Sequence, residues 1–553
     1  MKSVQPANGN WAASVCVMLF LLAATLAPVM SAGAGEGPAP LAYLPPERPP
    51  ELLPTDHWAY DELQKLWVAG MVDSMFVSSR PASRYDVAAL LIPLQSDPRV
   101  PAGYAPVERL LREFSREISY LGGDAGYQPM PYMSHSRSEK TDFRLSLYVD
   151  GEWVSSEGSW VENVKGSGHT VEGSRVGIQS TAILRPNLVI YQDVYAGKMT
   201  GGWRYGEELF SITDFIIFAD RFYAALRTPW VDAQVGRDKV RWGPGRTGTL
   251  LLSDGADSYT MLHLTRTFGR KLKVSSVSGI LDTEAGKYLA AHRIDFAPAG
   301  FMQFGLAETA IYHSEFFEPL YVMSLVPFTL VERLHHKDAQ SGGLEDDPTR
   351  NNVSVSVDAI VRPVWGTSVY GELMIDDLSE ETSKRPTRLA YQAGLSVLRP
   401  VGNRSVSLTA ELTRVWNYTY NVYYSDTYDR DQTHQGRPLG YYLGPDTRHW
   451  HFSLSADVSR DLELTGVLNV THRGEGSLGI PWTPDMEDAD ASELSGVVER
   501  TTELRLRVRW MPVETVLLET SATRIAVKNR NHETSQGGDW EDNEYRLGVS
   551  ARW

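Results

Sequence analysis

The chain has 553 residues, and 69 acidic against 53 basic side chains give it a formal charge of −16 at pH 7. That balance argues against a nucleic-acid partner, because phosphates need a basic surface. The single cysteine, Cys16, falls in the first segment, so the rest of the chain has neither disulfides nor thiol chemistry, and no run after residue 34 approaches the roughly 18 apolar residues of a membrane-spanning helix.

Residues 1–34 read as a signal peptide. Lys2 precedes an apolar core from about Trp11 to Leu26, and Ala32-Gly33-Ala34 offers small residues for cleavage. Cys16 lies inside that core rather than at its end, which argues against a lipid anchor. Residues 35–54 are rich in Pro, Ala and Gly and read as a linker.

Residues 55–130 have a helical period and are expected to form a small periplasmic bundle. Leu63, Leu66, Trp67 and Gly70 share one stripe after Asp56-His57-Trp58-Ala59-Tyr60. Ser83-Arg84-Tyr85-Asp86 fits a capping box. Pro106 opens a run through Val107, Leu110, Leu111, Phe114, Ile118 and Leu121 that Gly122-Gly123 ends. The Trp-Ala-Tyr and Arg-Tyr-Asp elements resemble an S-layer homology motif, although as core residues they need no ligand.

From 142 to 553 the period becomes two. Val353, Val355, Val357, Ala359 and Val361 alternate with Ser354, Ser356, Asp358 and Ile360. Trp450, Phe452 and Leu454 alternate with His451, Ser453 and Ser455, and Leu504, Leu506, Val508 and Trp510 alternate with Glu503, Arg505, Arg507 and Arg509. A soluble sandwich also alternates, so connection lengths decide. Short turns at Arg185-Pro186-Asn187, Pro229-Trp230, Phe268-Gly269-Arg270, Pro298-Ala299-Gly300, Pro363 to Gly366, Pro400 to Asn403, Arg460-Asp461 and Pro512-Val513 alternate with longer loops. A transmembrane barrel keeps that order, with tight turns on the periplasmic side and long loops outside. The count gives an all-β transmembrane barrel of about 18 antiparallel strands. The chain closes on Tyr545, Leu547, Val549, Ala551 and Trp553 in alternation, which resembles the final-strand signal read by the barrel-assembly machinery.

Four stretches resemble one family. They are Gly236-Arg237-Asp238 through Trp242-Gly243-Pro244-Gly245, Leu251-Leu252-Ser253, Ala291-His292-Arg293-Ile294-Asp295 and Gly305-Leu306-Ala307-Glu308. They are similar to the capsule-assembly outer-membrane proteins of the Wzi type, with the likeness running from about 55 to 553 and strongest at 231–312. The resemblance implies an 18-stranded barrel with a periplasmic bundle and long loops that close it. It also implies a lectin-like role that ties capsular polysaccharide to the cell surface.

Three sets of side chains are candidate polysaccharide ligands. Arg505, Arg507 and Arg509 form a ladder on one strand face, and guanidinium rows bind sugar carboxylates through paired hydrogen bonds; pairing with wall carboxylates is the plainer use. Tyr418, Tyr420, Tyr423 and Tyr424 belong to a loop at 417–449 whose rings suit the apolar faces of sugars, or pack upon themselves. Arg237, Arg241 and Arg246 flank a Gly-Pro-Gly break that reads as the entry to an infolded loop, serving as a clasp or touching ligand. Glu308 shares the phase of Met302, Phe304 and Leu306, a costly place for a carboxylate on a lipid face, so a register break or a position near the rim is expected.

No metal site or cofactor is read. Asp426, Asp429 and Asp431 lack EF-hand spacing, and His335-His336 is a weak metal pair. No nucleophile elbow, zinc-protease or phosphate-loop motif occurs. The chain therefore reads as a non-enzymatic outer-membrane protein, monomeric and bathed in membrane lipid, that binds and helps attach or assemble surface polysaccharide. The alternative is a porin-like channel for anionic solutes; an outer-membrane enzyme acting on lipid or glycan is the weakest of the three.

Overall fold

The computed structural model describes residues 48–553, apart from 74, 130–131, 138–140, 157–169, 200–209, 213–214, 315–317, 319–320, 322–325, 336–350, 379–385, 423–429, 484–485, 487–489, 514 and 535–537. The signal peptide and most of the 35–54 stretch lie outside these residues.

Side chains that alternate between apolar and charged need a different surrounding on each face. A closed antiparallel barrel supplies both. Its 18 wall strands are β1 (Asp142–Ser156), β2 (Thr170–Arg185), β3 (Leu188–Met199), β4 (Phe215–Arg227), β5 (Asp232–Asp238), β6 (Tyr259–Phe268), β7 (Leu272–Asp282), β8 (Lys287–Ala299) and β9 (Met302–His313). They continue as β10 (Asn352–Val364), β11 (Thr367–Asp377), β12 (Arg388–Val401), β13 (Arg404–Val415), β14 (Thr447–Asp457), β15 (Leu462–Arg473), β16 (Glu499–Val513), β17 (Val516–Lys528) and β18 (Trp540–Arg552). The last strand closes on the first from Glu544↔Ser156 to Arg552↔Tyr148. Below that register, a short strand at Ser134–Arg137 continues along the same edge of β1. Among the described residues the ring of strands thus closes on itself, which spares the sheet a terminal edge in lipid, where no hydrogen-bond partners are on offer.

The outward phase carries the exposed apolar residues, among them Val176, Ile178, Val357, Leu395, Leu454, Leu504 and Leu547. Aromatic rings stand at both ends of this belt: Trp230, Phe268, Phe301 and Trp365 beside the short turns, and Trp153, Tyr391 and Trp450 toward the long loops. Such rings favour the boundary between hydrocarbon and water.

The inward phase is filled. Helices α1 (Ala59–Val68), α2 (Arg84–Leu91), α3 (Ala105–Glu113) and α4 (Ser115–Tyr120) sit in the short-turn mouth. The run opened by Pro106 breaks at Phe114 into two helices. Leu63, Leu66, Trp67, Leu91, Leu110 and Phe114 form the core of the bundle, and the wall residues Ile360, Tyr370 and Leu398 join it. Residues 48–54, linker-like in composition, are packed too: Leu53 is buried, and the Leu52 amide donates to Tyr223 Oη at 2.8 Å.

Ion pairs bind the bundle to the wall. Arg109 reaches Asp457 at 2.7 Å and Glu62 at 3.0 Å, and Lys65 reaches Glu463 at 3.1 Å. Arg227 bonds Asp86 at 2.8 Å, and Arg362 bonds Asp73 at 2.7 Å. The capping box expected at Ser83–Asp86 does not form. Asp86 is taken by Arg227, while the Ser83 hydroxyl donates to the Pro49 carbonyl. A local cap loses to tertiary partners.

Glu308 is a second correction. It lies on the outward phase, but the β9–β10 register runs unbroken from Met302 to Ile311. Its carboxylate accepts the amides of Phe328 and Thr329 at 2.9 and 3.3 Å. These open helix α5 (Phe328–His335), which lies against the outside of the wall. First-turn amides have no partner within their helix and favour negative charge. Tyr288, Ala290, Ala310 and Tyr312 are covered by Tyr321, Phe328 and Val331 in the same arc, so the carboxylate meets protein instead of lipid.

Arg109→Met leaves Glu62 and Asp457 buried without their shared cation. It is expected to destabilise bundle docking by about 3–5 kcal/mol, seen as trypsin cleavage within 55–125 while the barrel stays folded by heat-modifiable gel mobility. Adding Asp457→Leu is expected to restore much of the resistance.

Candidate functional site

Strand β5 ends at Asp238, and the chain then turns into the lumen. Arg241 and Trp242 pair with Arg80 and Ser79 of the bundle as a two-residue antiparallel ladder. The Gly243 amide extends it by donating to the Ser78 carbonyl at 2.8 Å. The Gly-Pro-Gly break explains how the chain fits there. A Cβ on Gly243 would run into Glu372 and Thr249, and one on Gly245 into Gln392 and the Gly248 carbonyl.

Two of the arginines read as candidate ligands hold this loop. Arg241 bonds the Gly245 carbonyl at 2.6 Å and Asp254 at 3.2 Å. Arg246 faces Asp61 at 3.5 Å and also bonds Gln64, both in the bundle. Arg237 stays on the wall, where its Nε donates to Ser258 at 2.9 Å and its guanidinium lies over the Phe218 ring. Burial and the neighbouring Arg241 pull Arg80 down to about 10. Burial works against the Asp254 charge, yet Arg241 and Arg80 hold its carboxyl below the usual value.

The 416–447 loop folds inward over the first. Tyr420 is fully buried; its hydroxyl donates to the Leu250 carbonyl at 2.8 Å, and its amide donates to Asp376 at 2.9 Å. Tyr418 packs with Trp482 and Ala491 of the 473–499 loop. Trp242, Leu250, Leu251, Leu252, Tyr420 and Tyr441 are part of one lumenal core with the inner wall. Asp431 accepts the Val422 amide at 3.1 Å, and burial pushes its carboxyl up to about 6. Tyr423 and Tyr424, with Asp426 and Asp429, lie outside the described residues.

The arginine ladder does face the lumen. Arg509 pairs with Glu519 at 2.7 Å, and Arg505 Nε donates to Thr523 at 3.1 Å. Arg507 Nε is buried without a hydrogen-bond partner among the described residues. Neighbouring strands add further charges. Ser521 stands between Arg507 and Arg546 in register, and Gly548 between Glu519 and Glu152. These small residues leave a recess in which the Arg546 and Arg175 side chains remain 38% and 37% exposed. Arg546 bonds Glu544 at 2.6 Å and Arg175 bonds Asp150 at 2.8 Å. Tyr442, half-exposed, is close enough to Arg505 and Glu503 for both charges to act on its phenol. The phase of Arg546 was readable from Tyr545, Leu547 and Val549; its meeting with Arg507 across β17 was not.

A barrel with an apolar outer belt and a lumen filled from both ends is a plugged outer-membrane β-barrel. The capsule assembly protein Wzi family matches residues 218–539, more than half of the chain, and the chain belongs to that family. Among solved structures, one described as Wzi, an outer-membrane protein involved in group 1 capsule assembly in Escherichia coli and a carbohydrate-binding β-barrel, is 15% identical. The match has a TM-score of 0.58 and covers 90% of this chain and 99% of that one. Pseudomonas aeruginosa OprD is 10% identical at a TM-score of 0.41, covering 74% of this chain and 95% of its own. Acinetobacter baumannii OccAB1 is also 10% identical, at 0.43, covering 74% and 96%. No curated protein matches the chain.

The clasp has a pH dependence of definite sign. Because the Asp254 carboxyl is lowered from 3.8, its contribution is present above that value and lost as pH falls below it. Asp254→Asn is expected to loosen the 239–258 loop at pH 7, and the wild type to loosen only in acid. A protease site inserted at 247–248 reports both.

Proposed function

We propose that this protein binds an acidic surface polysaccharide and helps attach or assemble it at the cell surface. This reading rests on the lumenal recess, where Arg505, Arg507, Arg546 and Arg175 line a partly open wall and Arg507 Nε has no hydrogen-bond partner among the described residues. Guanidinium groups held in a row suit sugar carboxylates, each by paired charge-assisted bonds. Tyr442 adds a ring of the kind that packs on sugar C–H faces at small entropic cost. Family membership and the carbohydrate-binding description of the Escherichia coli barrel support the same reading. Tyr418, Tyr420, Arg237, Arg241 and Arg246 then serve as the frame that keeps the loops in place, and Tyr423 and Tyr424 remain candidate contacts.

The protein works as a binding component rather than an enzyme, as a monomer inserted by the assembly machinery through its terminal strand. The recess also offers a surface to small anions, which is the case for a channel. The ladder between the 239–258 loop and the bundle weighs against that use, because it places backbone across the lumen.

Arg505→Gln with Arg507→Gln is expected to weaken binding of an acidic oligosaccharide to the purified barrel at least tenfold, at about 1.5–3 kcal/mol for hydrogen bonds to charged groups. Unchanged affinity, measured by calorimetry, would remove the recess from the site. In planar bilayers the wild type is expected to give no steady conductance, and a deletion of 241–252 to give one. A steady porin-sized channel in the wild type would favour the transport reading. In cells, loss of the gene is expected to leave polysaccharide made but shed into the medium.

A further inference from the structure

The outer wall carries a basic row that the recess does not use. Arg414 on β13 lies opposite Arg448 on β14, Arg448 opposite His472 on β15, His472 opposite Arg500 on β16, and Arg500 opposite Lys528 on β17. Five basic side chains thus occupy one register line across five adjacent strands. All take the outward phase: Arg448 precedes Trp450, Phe452 and Leu454, His472 follows Leu464 and Leu468, and Arg500 precedes Leu504 and Leu506. Each stands at the long-loop end of its strand, just above the apolar belt.

Arg414 is occupied, bonding the carbonyls of Val415, Thr447 and Ser492. The other four are not buried, and among the described residues no carboxylate lies within ion-pair distance of Arg448, His472, Arg500 or Lys528. Further down the same face of β17, Arg524 is already matched by Glu541 at 2.6 Å. In a chain of charge −16, three unmatched cations, Arg448, Arg500 and Lys528, flanking a histidine on one register line call for an anion from outside. At roughly 4.8 Å per strand the four span about 14 Å.

We propose that this strip docks a phosphorylated glycolipid of the outer leaflet, with phosphates on Arg448, Arg500 and Lys528 and acyl chains along Trp450, Phe452, Leu468 and Leu504. The position selects lipid over soluble glycan. Cations placed directly above outward apolar side chains match a molecule with an anionic head and hydrocarbon tails. Their side chains also have the length to reach up to the headgroup level. The recess faces the other side of the wall, so the strip stands independently of the function proposed above.

The test uses the full-length detergent-purified protein and native mass spectrometry. Bisphosphorylated lipid A, its enzymatically dephosphorylated form and phosphatidylethanolamine are each offered to the wild type and to the Arg448→Gln/Arg500→Gln/Lys528→Gln variant. Heat-modifiable gel mobility shows that the variant is folded; single replacements take its place if it is not. Bisphosphorylated lipid A is expected to remain bound to the wild type, to be lost at high salt, and to bind the triple variant roughly a hundredfold more weakly. Millimolar inorganic phosphate is expected not to displace it. Equal retention of the dephosphorylated lipid, or equal binding by the variant, overturns the proposal. So does loss of soluble acidic oligosaccharide binding in the variant with lipid binding intact, which would make the strip a glycan site.

Discussion

The architecture depends on one backbone contact across the lumen. Arg80 and Ser79, near the start of the chain, pair with Arg241 and Trp242 from a loop that descends from the opposite end of the barrel. That ladder lets two separately built cores meet. Below it lies the helical core around Trp67 and Phe114; above it lies the loop core around Trp242, Leu251 and Tyr420. Backbone amides and carbonyls buried there need partners, and each segment supplies the other's. The glycines at 243 and 245 follow from the same requirement, since the loop must pass Glu372 and Gln392 closely to arrive.

The charge distribution follows from this filling. An open lumen would leave its arginines and carboxylates in water, where pairing contributes little. Here they act between bundle and wall, as Arg109 does with Asp457 and Arg227 with Asp86, or within the wall, as Arg293 does with Asp358 at 2.6 Å. The recess at β16, β17, β18 and β2 differs because small residues at 521 and 548 leave its arginines partly solvated. Arg109, Arg227, Arg293 and Arg362 thus serve closure, while Arg175 and Arg546 face space.

The sequence exposed whatever was local. Period-two alternation set the inner and outer faces, because each strand meets two different environments along its whole length. The eight short turns fall at the breaks read for them, seven of the eight marked by proline or glycine, since a tight turn depends on its own residues. Contacts decided by distant segments were hidden. Ser83 and Asp86 have the spacing of a cap, yet Pro49 and Arg227 take their side chains. Glu308 keeps the phase that made it look misplaced, and a helix some twenty residues later removes the difficulty. Arg241 and Arg246 looked equally fit for ligand or clasp; only the position of the bundle shows how they are engaged. Arg507 and Arg546, or Arg448 and Arg500, become neighbours through register alone, which no single strand reveals.

Helix α5 has a consequence for how the molecule sits among its neighbours. Across the arc of β8 and β9, Val326 and Leu330 of the covering segment are the exposed apolar side chains, in place of those of the wall. The basic row at β14 to β17 lies well round the ring from that arc. A barrel is often pictured as rotationally uniform in its membrane, free to turn without changing what it presents. This one has a front and a back, and its surroundings can tell its heading in the plane.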